Sequence, residues 1–219
     1  MNRRDLLSAH AKLAKLYAPV GFKPGGDPLG QLIQTILSQN TSDINSERAY
    51  RSLRRRFPTW QAVMTAPTHR VADSIRSGGL ANIKAPRIQQ SLRLIRKQEG
   101  RLSLARLRRM SNSEGMAYLS NMHGIGAKTA ACVLLFSLGR PVMPVDTHVH
   151  RVTRRLGWAP EKARPEQVGP LLEHLIPPRL VLSMHIYLVR HGRRICKAQR
   201  PLCAECPLAT QCAFARKRT

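Results

Sequence analysis

Apolar residues recur at the helical period along most of this chain, and the segment DPLGQLIQTILSQ at residues 27–39 is a clear case. Its apolar positions are spaced i, i+3, i+4, i+7 and i+8, and they are Leu29, Leu32, Ile33, Ile36 and Leu37. Asp27 can cap a helix, and Pro28 suits the first helical position. The segment therefore predicts an amphipathic helix that buries one face.

Other segments carry the signals of helix starts and stops. Further starts are indicated at Ser42 or Asp43, Thr59, Thr68 and Pro86. The glycines at positions 78, 79 and 100 indicate stops. No alternation of apolar and polar residues suggests a strand, and the one candidate, PVMPV at residues 141–145, is interrupted by Pro144. The pattern predicts an all-α fold and gives no composition change that would mark a domain limit.

The segment NSEGMAYLSNMHGIGAKTAACVLLFSLGRP, residues 112–141, predicts two helices joined by a glycine turn. Residues 113–121 form the first helix and residues 127–138 the second, while Gly124 and Gly126 allow a tight turn with positive φ. The second helix is apolar on almost all sides, so it must be buried with its N-terminus exposed, where unpaired N–H groups suit a phosphate. A nucleotide-binding phosphate loop is excluded, because Ala127 rather than glycine precedes Lys128.

Charge narrows the choice of partner. The chain has 37 Lys and Arg against 12 Asp and Glu, a formal net charge of +25. Nucleic acid is the expected partner of such a chain, although charge alone does not separate DNA from RNA or from a membrane surface. The longest apolar run, residues 130–136, is far shorter than the roughly 20 residues of a membrane span. The N-terminus lacks a secretory signal, so a cytoplasmic location and reduced cysteines are expected.

Lys128 stands in the first turn of the second predicted helix. The positive end of the helix dipole and the basic chain both disfavour a protonated amine there, and an unprotonated lysine is a nucleophile. From the hairpin alone, one more phosphate contact is an equally good interpretation of Lys128.

Four cysteines crowd into residues 196–212. They are Cys196, Cys203, Cys206 and Cys212, separated by six, two and five residues. Four thiolates can close one centre, and the spacing by itself leaves zinc and an iron-sulfur cluster both open. The fifth cysteine, Cys132, lies in the apolar helix and is interpreted as a core residue. His148 and His150 are not expected to share a metal, because they point about 200° apart on a helix.

Several motifs together make this sequence resemble a known family. ILSQNTSD at residues 36–43, GIGAKTA at 124–130, VDTHVHRV at 145–152 and the cysteine spacing are similar to the endonuclease III family of DNA glycosylases, in the helix-hairpin-helix superfamily. The resemblance implies two lobes with the active site in the cleft between them. One is a six-helix barrel over residues 23–137, and the other is an iron-sulfur cluster lobe of residues 1–22 and 138–219. The resemblance also favours a structural 4Fe-4S cluster over zinc at the four cysteines.

By the same resemblance, Lys128 is the catalytic lysine and Asp146 the catalytic aspartate. A lysine that attacks the sugar C1′ forms a Schiff base and permits β-elimination, while a carboxylate can help deprotonate the amine and stabilise positive charge on the sugar. Asp146 could also be a plain helix N-cap. The expected protein is a bifunctional DNA glycosylase and apurinic/apyrimidinic lyase that removes oxidised pyrimidines in base excision repair. The alternative is an iron-sulfur protein that binds distorted DNA with little catalytic activity.

Further residues are expected to contact double-stranded DNA that contains a damaged base or an abasic site. They are Gln39, Asn40, Leu80, Gly124, Gly126, His148, Lys197 and Arg200. Leu80 aligns with an apolar wedge, and Asn40 with a polar residue that fills the space of an extruded nucleotide; a core position for Leu80 and a helix cap for Asn40 are the alternatives. The sequence departs from the family pattern at Asn40, at Met122-His123 and at Ala127, which puts damage preference in doubt. A monomer is expected.

Overall fold

The computed structural model describes residues 3–217, which are folded mainly into helices. No β-strand occurs in that range, so the prediction of an all-α fold is confirmed. The α-helices are α1 (Arg3–Tyr17), α2 (Pro28–Leu37), α3 (Asp43–Arg56), α4 (Trp60–Thr65), α5 (Thr68–Ser74), α6 (Ala81–Glu99), α7 (Asn112–Ser120), α8 (Ala127–Leu138), α9 (Thr147–Leu156), α10 (Pro165–Leu175), α11 (Val181–Arg194) and α12 (Ala213–Arg216). Short 3-10 turns lie at Arg76–Gly78, Ala105–Arg109, Pro178–Leu180, Cys203–Glu205 and Ala209–Gln211. Within the same range, no helix has both the length and the apolar character needed to cross a membrane.

Pro24–Leu138 forms one of two compact units, which we call the hairpin unit. In it α2 begins as predicted: the Asp27 side chain accepts hydrogen bonds from the N–H groups of Leu29 and Gly30 at 3.1 and 3.0 Å, and Pro28 is the first helical residue. The apolar face of α2 is buried and packs against α8, which is itself buried along most of its length. The starts predicted at Ser42 or Asp43, Thr59 and Thr68 are confirmed as well.

α6 begins earlier than the sequence predicts. The start expected at Pro86 is wrong, because α6 begins at Ala81 and Pro86 lies inside the helix. The N–H groups of Ile83 and Lys84 donate to the Leu80 carbonyl at 3.0 and 2.9 Å, so the first turn forms ahead of the proline. The Lys84 side chain in this part of the helix is buried, and the one hydrogen bond that Pro86 cannot donate does not end the helix.

The N-terminal segment up to Lys23 and the segment from Gly139 onward form the second compact unit, which we call the cysteine unit. α1 packs against α11, and α11 packs in turn against α9. A hydrogen bond of 3.0 Å between the Tyr17 hydroxyl and His191 Nδ1 ties the end of α1 to α11. A helix from the start of the chain therefore completes a unit that is otherwise built from its end.

Candidate functional site

The turn between α7 and α8 forms the first part of the candidate site. Gly124 has φ of 78°, as expected for a tight turn, but Gly126 is not in the left-handed region, so the prediction of positive φ at both glycines is wrong. The Gly126 carbonyl instead accepts hydrogen bonds from the N–H groups of Thr129 and Ala130 at 2.9 and 3.1 Å, which start α8. A Cβ atom at Gly126 would meet nothing within 4 Å, so the surface beside the start of α8 is open.

Lys128 is the second residue of α8 and is half-buried. From Thr129 to Leu135 every residue of the helix is buried. The N–H groups of the first turn of a helix have no carbonyl partner one turn earlier, and they carry the positive end of the helix dipole. The start of α8 is therefore the part of this helix where an amine and helix N–H groups can meet a ligand together.

Asp146 is the N-cap of α9 in the cysteine unit. Its Oδ1 accepts a hydrogen bond from the N–H of Val149 at 2.7 Å, so the prediction that it can cap a helix is confirmed. Its Oδ2 makes no hydrogen bond to any of residues 3–217, and the residue is half-buried. One carboxylate oxygen is thus used by the helix, and the other is left for a second role.

Two segments of the hairpin unit carry the residues aligned with DNA insertion: segment 38–42 after α2, and segment 78–80 before α6. Asn40 has φ of 52° and Leu80 has φ of 49°. The left-handed region costs a residue such as leucine about 1–2 kcal/mol and is often found at functional sites. Leu80 is 48% exposed and α3 is capped by Ser42, so both structural alternatives, a core position for Leu80 and a helix cap for Asn40, are wrong.

Gln39 links segment 38–42 to α6 and to α8. Its Oε1 accepts a hydrogen bond from Nη1 of Arg87 at 2.8 Å, and its Nε2 donates to Oγ1 of Thr129 at 3.4 Å. The Arg87 side chain also lies against the glycine turn, because a Cβ atom at Gly124 would be 2.8 Å from Arg87 Nε. These contacts join segment 38–42 to the turn and to the start of α8, and they explain why position 124 has no room for a side chain.

The sequence reasoning missed Lys84 and Arg87, which both lie on α6. Lys84 is 1% exposed, and its Nζ donates to the carbonyl oxygens of Leu37 and Gly78 at 2.7 Å each. Burial, and then the charge of Arg87, lower the pKa of Lys84. A signal for this role was present in the sequence, since Lys84 stands four residues before Ile88 and is in phase with the buried face of α6.

The four cysteines of residues 196–212 line one cavity in the cysteine unit. Val152, Ile195 and Phe214 are among the apolar walls of the cavity, and none of its described lining residues is a carboxylate. Among residues 3–217, no three His, Cys, Asp or Glu side chains are already arranged to hold a single metal ion. Burial raises the pKa of the Cys206 thiol to about 11, so a bound metal must displace that proton. Four soft sulfur donors in apolar surroundings fit an iron-sulfur or zinc centre.

Two arginines of α9 hold the first part of the cysteine segment. Nε of Arg151 donates to the Cys196 carbonyl at 3.0 Å, and Arg155 donates to the carbonyls of Lys197 and the following residue at 2.6 and 2.9 Å. Lys197 and Arg200 are exposed, and Arg200 has φ of 49°. The exposed cations of this loop therefore stand on backbone that protein groups fix in place, a support that the sequence reasoning did not find.

His148 is half-buried where α9 meets α11. Nη2 of Arg151 lies 3.1 Å from its Nδ1, and a Cβ atom at Gly192 would be 2.8 Å from the His148 Cβ. His150 hydrogen-bonds through Nε2 to the Ala163 carbonyl at 2.8 Å. The two histidines thus have separate partners, and His148 is a packing residue of the cysteine unit as well as a candidate DNA contact.

Residues 33–178 match the sequence profile of the HhH-GPD superfamily base excision DNA repair protein. Over 193 residues the chain is 38% identical to endonuclease III of Thermotoga maritima, and the alignment covers 88% of this chain and 85% of that protein. The chain belongs to the HhH-GPD superfamily of base excision DNA repair proteins. The resemblance to endonuclease III that the motifs indicate is confirmed.

A second relative and a solved structure agree with membership in the HhH-GPD superfamily. The chain is 39% identical over 165 residues to a predicted DNA glycosylase of Arabidopsis thaliana; this alignment covers 75% of the chain and 56% of the plant protein, so the chain spans little more than half of that relative. An endonuclease III trapped as a covalent intermediate with DNA matches with a TM-score of 0.84 at 28% identity, over 100% of this chain and 99% of that one. The all-helical fold is therefore that of endonuclease III.

The HhH-GPD match covers only part of the candidate site. It includes both exposed segments, the glycine turn, Lys128 and Asp146, and it ends before the four cysteines. The assignment of the cysteines as ligands therefore depends on their spacing and on the cavity that they share.

Proposed function

We propose that this chain is a bifunctional DNA glycosylase and apurinic/apyrimidinic lyase that removes oxidised pyrimidines, such as thymine glycol, in base excision repair. The observation that carries the proposal is Lys128 in the first turn of α8, directly after Gly126 and the open space beside it, in a member of the HhH-GPD superfamily. An amine at this position can act on the sugar of a nucleotide whose phosphate binds the N–H groups of the same turn. The resemblance to endonuclease III is what favours oxidised pyrimidines as the substrate class.

The proposed reaction begins with the Lys128 amine. Its lone pair forms a bond to the sugar C1′ while the C1′–N bond to the base breaks, and the base leaves with that electron pair and takes up a proton. Loss of a proton from Nζ and opening of the C1′–O4′ bond then give the Schiff base, with O4′ protonated. Removal of a C2′ proton expels the 3′ phosphate, and hydrolysis of the imine returns the free lysine.

Asp146 is proposed to assist through the oxygen that the α9 cap leaves unbonded. That oxygen can take a proton from the amine, and its negative charge can stabilise the positive charge that develops on the sugar as the base leaves. The capping hydrogen bond from Val149 keeps the carboxylate in one orientation. Capping and catalysis are therefore compatible roles for the two oxygens of one side chain.

The remaining candidate residues are proposed to hold and distort the duplex. The N–H groups beside Gly124 and Gly126 bind a phosphate, and Gln39, Asn40 and Leu80 fill the space that an extruded nucleotide leaves. Lys197 and Arg200, which lie in the cysteine unit, bind phosphates of the DNA. His148 of the same unit is a further DNA contact. The net charge of +25 supports this use of the surface, because neutralising phosphates supplies much of the affinity for DNA.

We also propose that the four cysteines of residues 196–212 hold a 4Fe-4S cluster. The support is their six-two-five spacing, their shared apolar cavity and the family of the chain. When bound, the cluster would cross-link the end of the chain and stabilise the loop that carries Lys197 and Arg200. We propose a monomer that acts in the cytoplasm, on the nucleoid if the chain is bacterial.

Borohydride trapping on DNA with an abasic site tests the proposed enzyme. The native protein is expected to give a covalent adduct, which Lys128→Ala abolishes and Lys162→Ala, a change at an exposed lysine of the cysteine unit, leaves intact. Asp146→Asn keeps a capping side chain but not the base, so its glycosylase rate is expected to fall about 100-fold or more. A panel of duplexes with single lesions then ranks the substrates.

The alternative predicts a different result in the same assay. An iron-sulfur protein that only recognises distorted DNA would bind the abasic duplex and give no adduct. Failure of the native protein to trap, with binding intact, would overturn the proposed lyase activity. Equal trapping by the native protein and Lys128→Ala would overturn the assignment of Lys128.

A further inference from the structure

Lys84 is a buried cation whose partners are two backbone carbonyl groups. Its side chain is 1% exposed, and Nζ lies 2.7 Å from the carbonyl oxygens of both Leu37 and Gly78. Moving an ammonium group out of water is unfavourable unless acceptors replace the water, and neutral carbonyls replace it less well than a carboxylate. The positions of the two carbonyls indicate what this costly contact supports.

Each of the two carbonyls stands at the base of one exposed segment. Leu37 is the last residue of α2, and segment 38–42 with Asn40 follows it directly. Gly78 ends the 3-10 turn before α6 and is the first residue of segment 78–80, which ends at Leu80. One nitrogen atom therefore joins the bases of both segments.

The same part of α6 also shapes the second segment through its backbone. The N–H of Lys84 donates to the Leu80 carbonyl at 2.9 Å, which helps to hold Leu80 with φ of 49°. Lys84 thus acts at both ends of segment 78–80, through its side chain at Gly78 and through its main chain at Leu80. Arg87, one turn later, adds a bond from α6 to the Gln39 side chain in the first segment.

We propose that Lys84 is a positioning residue that holds segments 38–42 and 78–80 at a fixed separation, so that Asn40 and Leu80 enter a damaged duplex together. The inference rests on the proposed function, in which these two segments fill the space of an extruded nucleotide. Without the shared ammonium contact, each segment could shift independently of the other, and binding would have to supply the order that the free protein now has. Lys84 itself touches no DNA in this proposal.

The test compares binding to two duplexes of the same sequence, one with a tetrahydrofuran abasic-site analogue and one undamaged. Lys84→Met removes the ammonium group and keeps a long apolar side chain, and Lys97→Met makes the same change at an exposed site of α6. The preference of the native protein for the analogue is expected to fall about tenfold in Lys84→Met and to stay within about twofold in Lys97→Met. Cleavage of a single-stranded abasic oligonucleotide, which needs no gap filled, is expected to stay within about twofold in both variants.

A double-mutant cycle separates positioning from general loss of structure. If Lys84 acts by presenting Asn40 and Leu80, then Lys84→Met should change the preference by less than about twofold in a protein that already carries Asn40→Ala and Leu80→Ala. A tenfold loss that persists in that background would overturn the proposal. Lys84→Gln, whose amide can still donate to one carbonyl, takes the place of the methionine variant if thermal melts show that the latter is unfolded at the assay temperature.

The outcomes distinguish this inference from the proposed function. If the native protein shows neither preference for the abasic analogue nor a borohydride adduct, the proposed function fails and the positioning role fails with it. If the native protein shows both and Lys84→Met matches it on both duplexes, only the positioning role is overturned.

Discussion

Two regions of this protein hold irregular backbone in place by different means. In the hairpin unit, segments 38–42 and 78–80 are fixed by groups of the protein itself, through the Lys84 ammonium and the Arg87 guanidinium. In the cysteine unit, residues 196–212 contain only short 3-10 turns, and their four thiols line one cavity. The first region is therefore held by protein groups alone, whereas in the second the hydrogen bonds from Arg151 and Arg155 hold only the first part of the segment, and order in the rest is expected to come from the proposed cluster.

The largest expected effect comes from removing one thiol of the cavity. Cys206→Ala should lose the visible absorbance and the iron of the proposed cluster, and it should destabilise the cysteine unit by about 5 kcal/mol or more, because the binding energy of a metal centre is also folding energy. Iron content, absorbance and thermal melts measure this. Cys132→Ala, at a buried cysteine of α8, should keep the iron and cost about 1 kcal/mol. Retention of iron by Cys206→Ala would remove the contrast between the two regions.

Lys84→Met tests the support of segments 38–42 and 78–80, again by stability and iron content. It leaves the carbonyls of Leu37 and Gly78 without their donor, and urea unfolding should show a loss of about 2–4 kcal/mol at neutral pH. Lys97→Met should stay within about 0.5 kcal/mol of the native protein. Iron content should be unchanged in both variants, and a loss of iron in Lys84→Met would show that the two regions are not independent.

The difference in unfolding free energy between the native protein and Lys84→Met should change with pH in a definite direction. Burial lowers the pKa of Lys84 in the folded protein below the ordinary value of 10.5 that the unfolded chain keeps. Between those two values the unfolded state binds more protons, so the stability of the native protein relative to Lys84→Met should rise with pH and level off above 10.5. A neutral amine still donates to both carbonyls, so the contact survives deprotonation. A difference that shrinks as the pH rises would contradict the burial of a charged amine.

Leu80→Gly should separate stability from DNA recognition. Glycine adopts positive φ without strain, whereas Leu80→Ala keeps the strained backbone. Because both variants remove the same half-exposed side chain, Leu80→Gly should be about 1 kcal/mol more stable than Leu80→Ala. Both variants should bind the abasic duplex more weakly than the native protein. Urea unfolding and equilibrium binding measure the two effects, and lower stability of the glycine variant would argue against strain at this position.

The smallest effect is expected at the arginine that supports the cysteine loop. Arg155→Lys keeps the charge but loses the forked donation to two carbonyls, so DNA affinity should fall about threefold with no change in the salt dependence of binding. Arg154→Lys, at the exposed neighbouring position, is the matched control and should behave like the native protein. A reduced salt dependence in Arg155→Lys would instead indicate a direct phosphate contact.

Local signals explain which parts of the fold could be predicted. Asp27 and Pro28 mark the start of α2, and the apolar run of residues 127–138 marks α8, because caps and periodicity act within one or two helical turns. The same local logic was misleading at Pro86, where a proline inside the second turn of α6 resembled a helix start. At Gly126 it predicted a glycine required for positive φ, whereas the residue does not have positive φ and lies beside open space.

The supports of the candidate site could not be predicted in this way. Lys84 binds Leu37, which is 47 residues away, and Arg87 binds Gln39, which is 48 residues away. The acceptor of Lys84 is a backbone carbonyl, which requires no particular residue type and leaves no mark in the sequence. The acceptor of Arg87 is the side-chain amide of Gln39, and no local pattern pairs two side chains so far apart. The motif residues were found because their chemistry repeats across a family, whereas helical phase could mark Lys84 as buried but could not identify the two carbonyls that it binds.

The exposed apolar residues of the hairpin unit have a consequence for how the protein behaves in solution. Ile44, Ile83 and Leu80 are 73, 54 and 48% exposed, on a chain with a net charge of +25. Mutual repulsion keeps copies of such a chain apart, and its range shrinks from about 10 Å at 0.1 M salt to about 3 Å at 1 M. High salt therefore removes this repulsion, and the exposed apolar side chains can then drive self-association of the protein. The protein is therefore expected to stay dispersed at low ionic strength and to associate at high ionic strength.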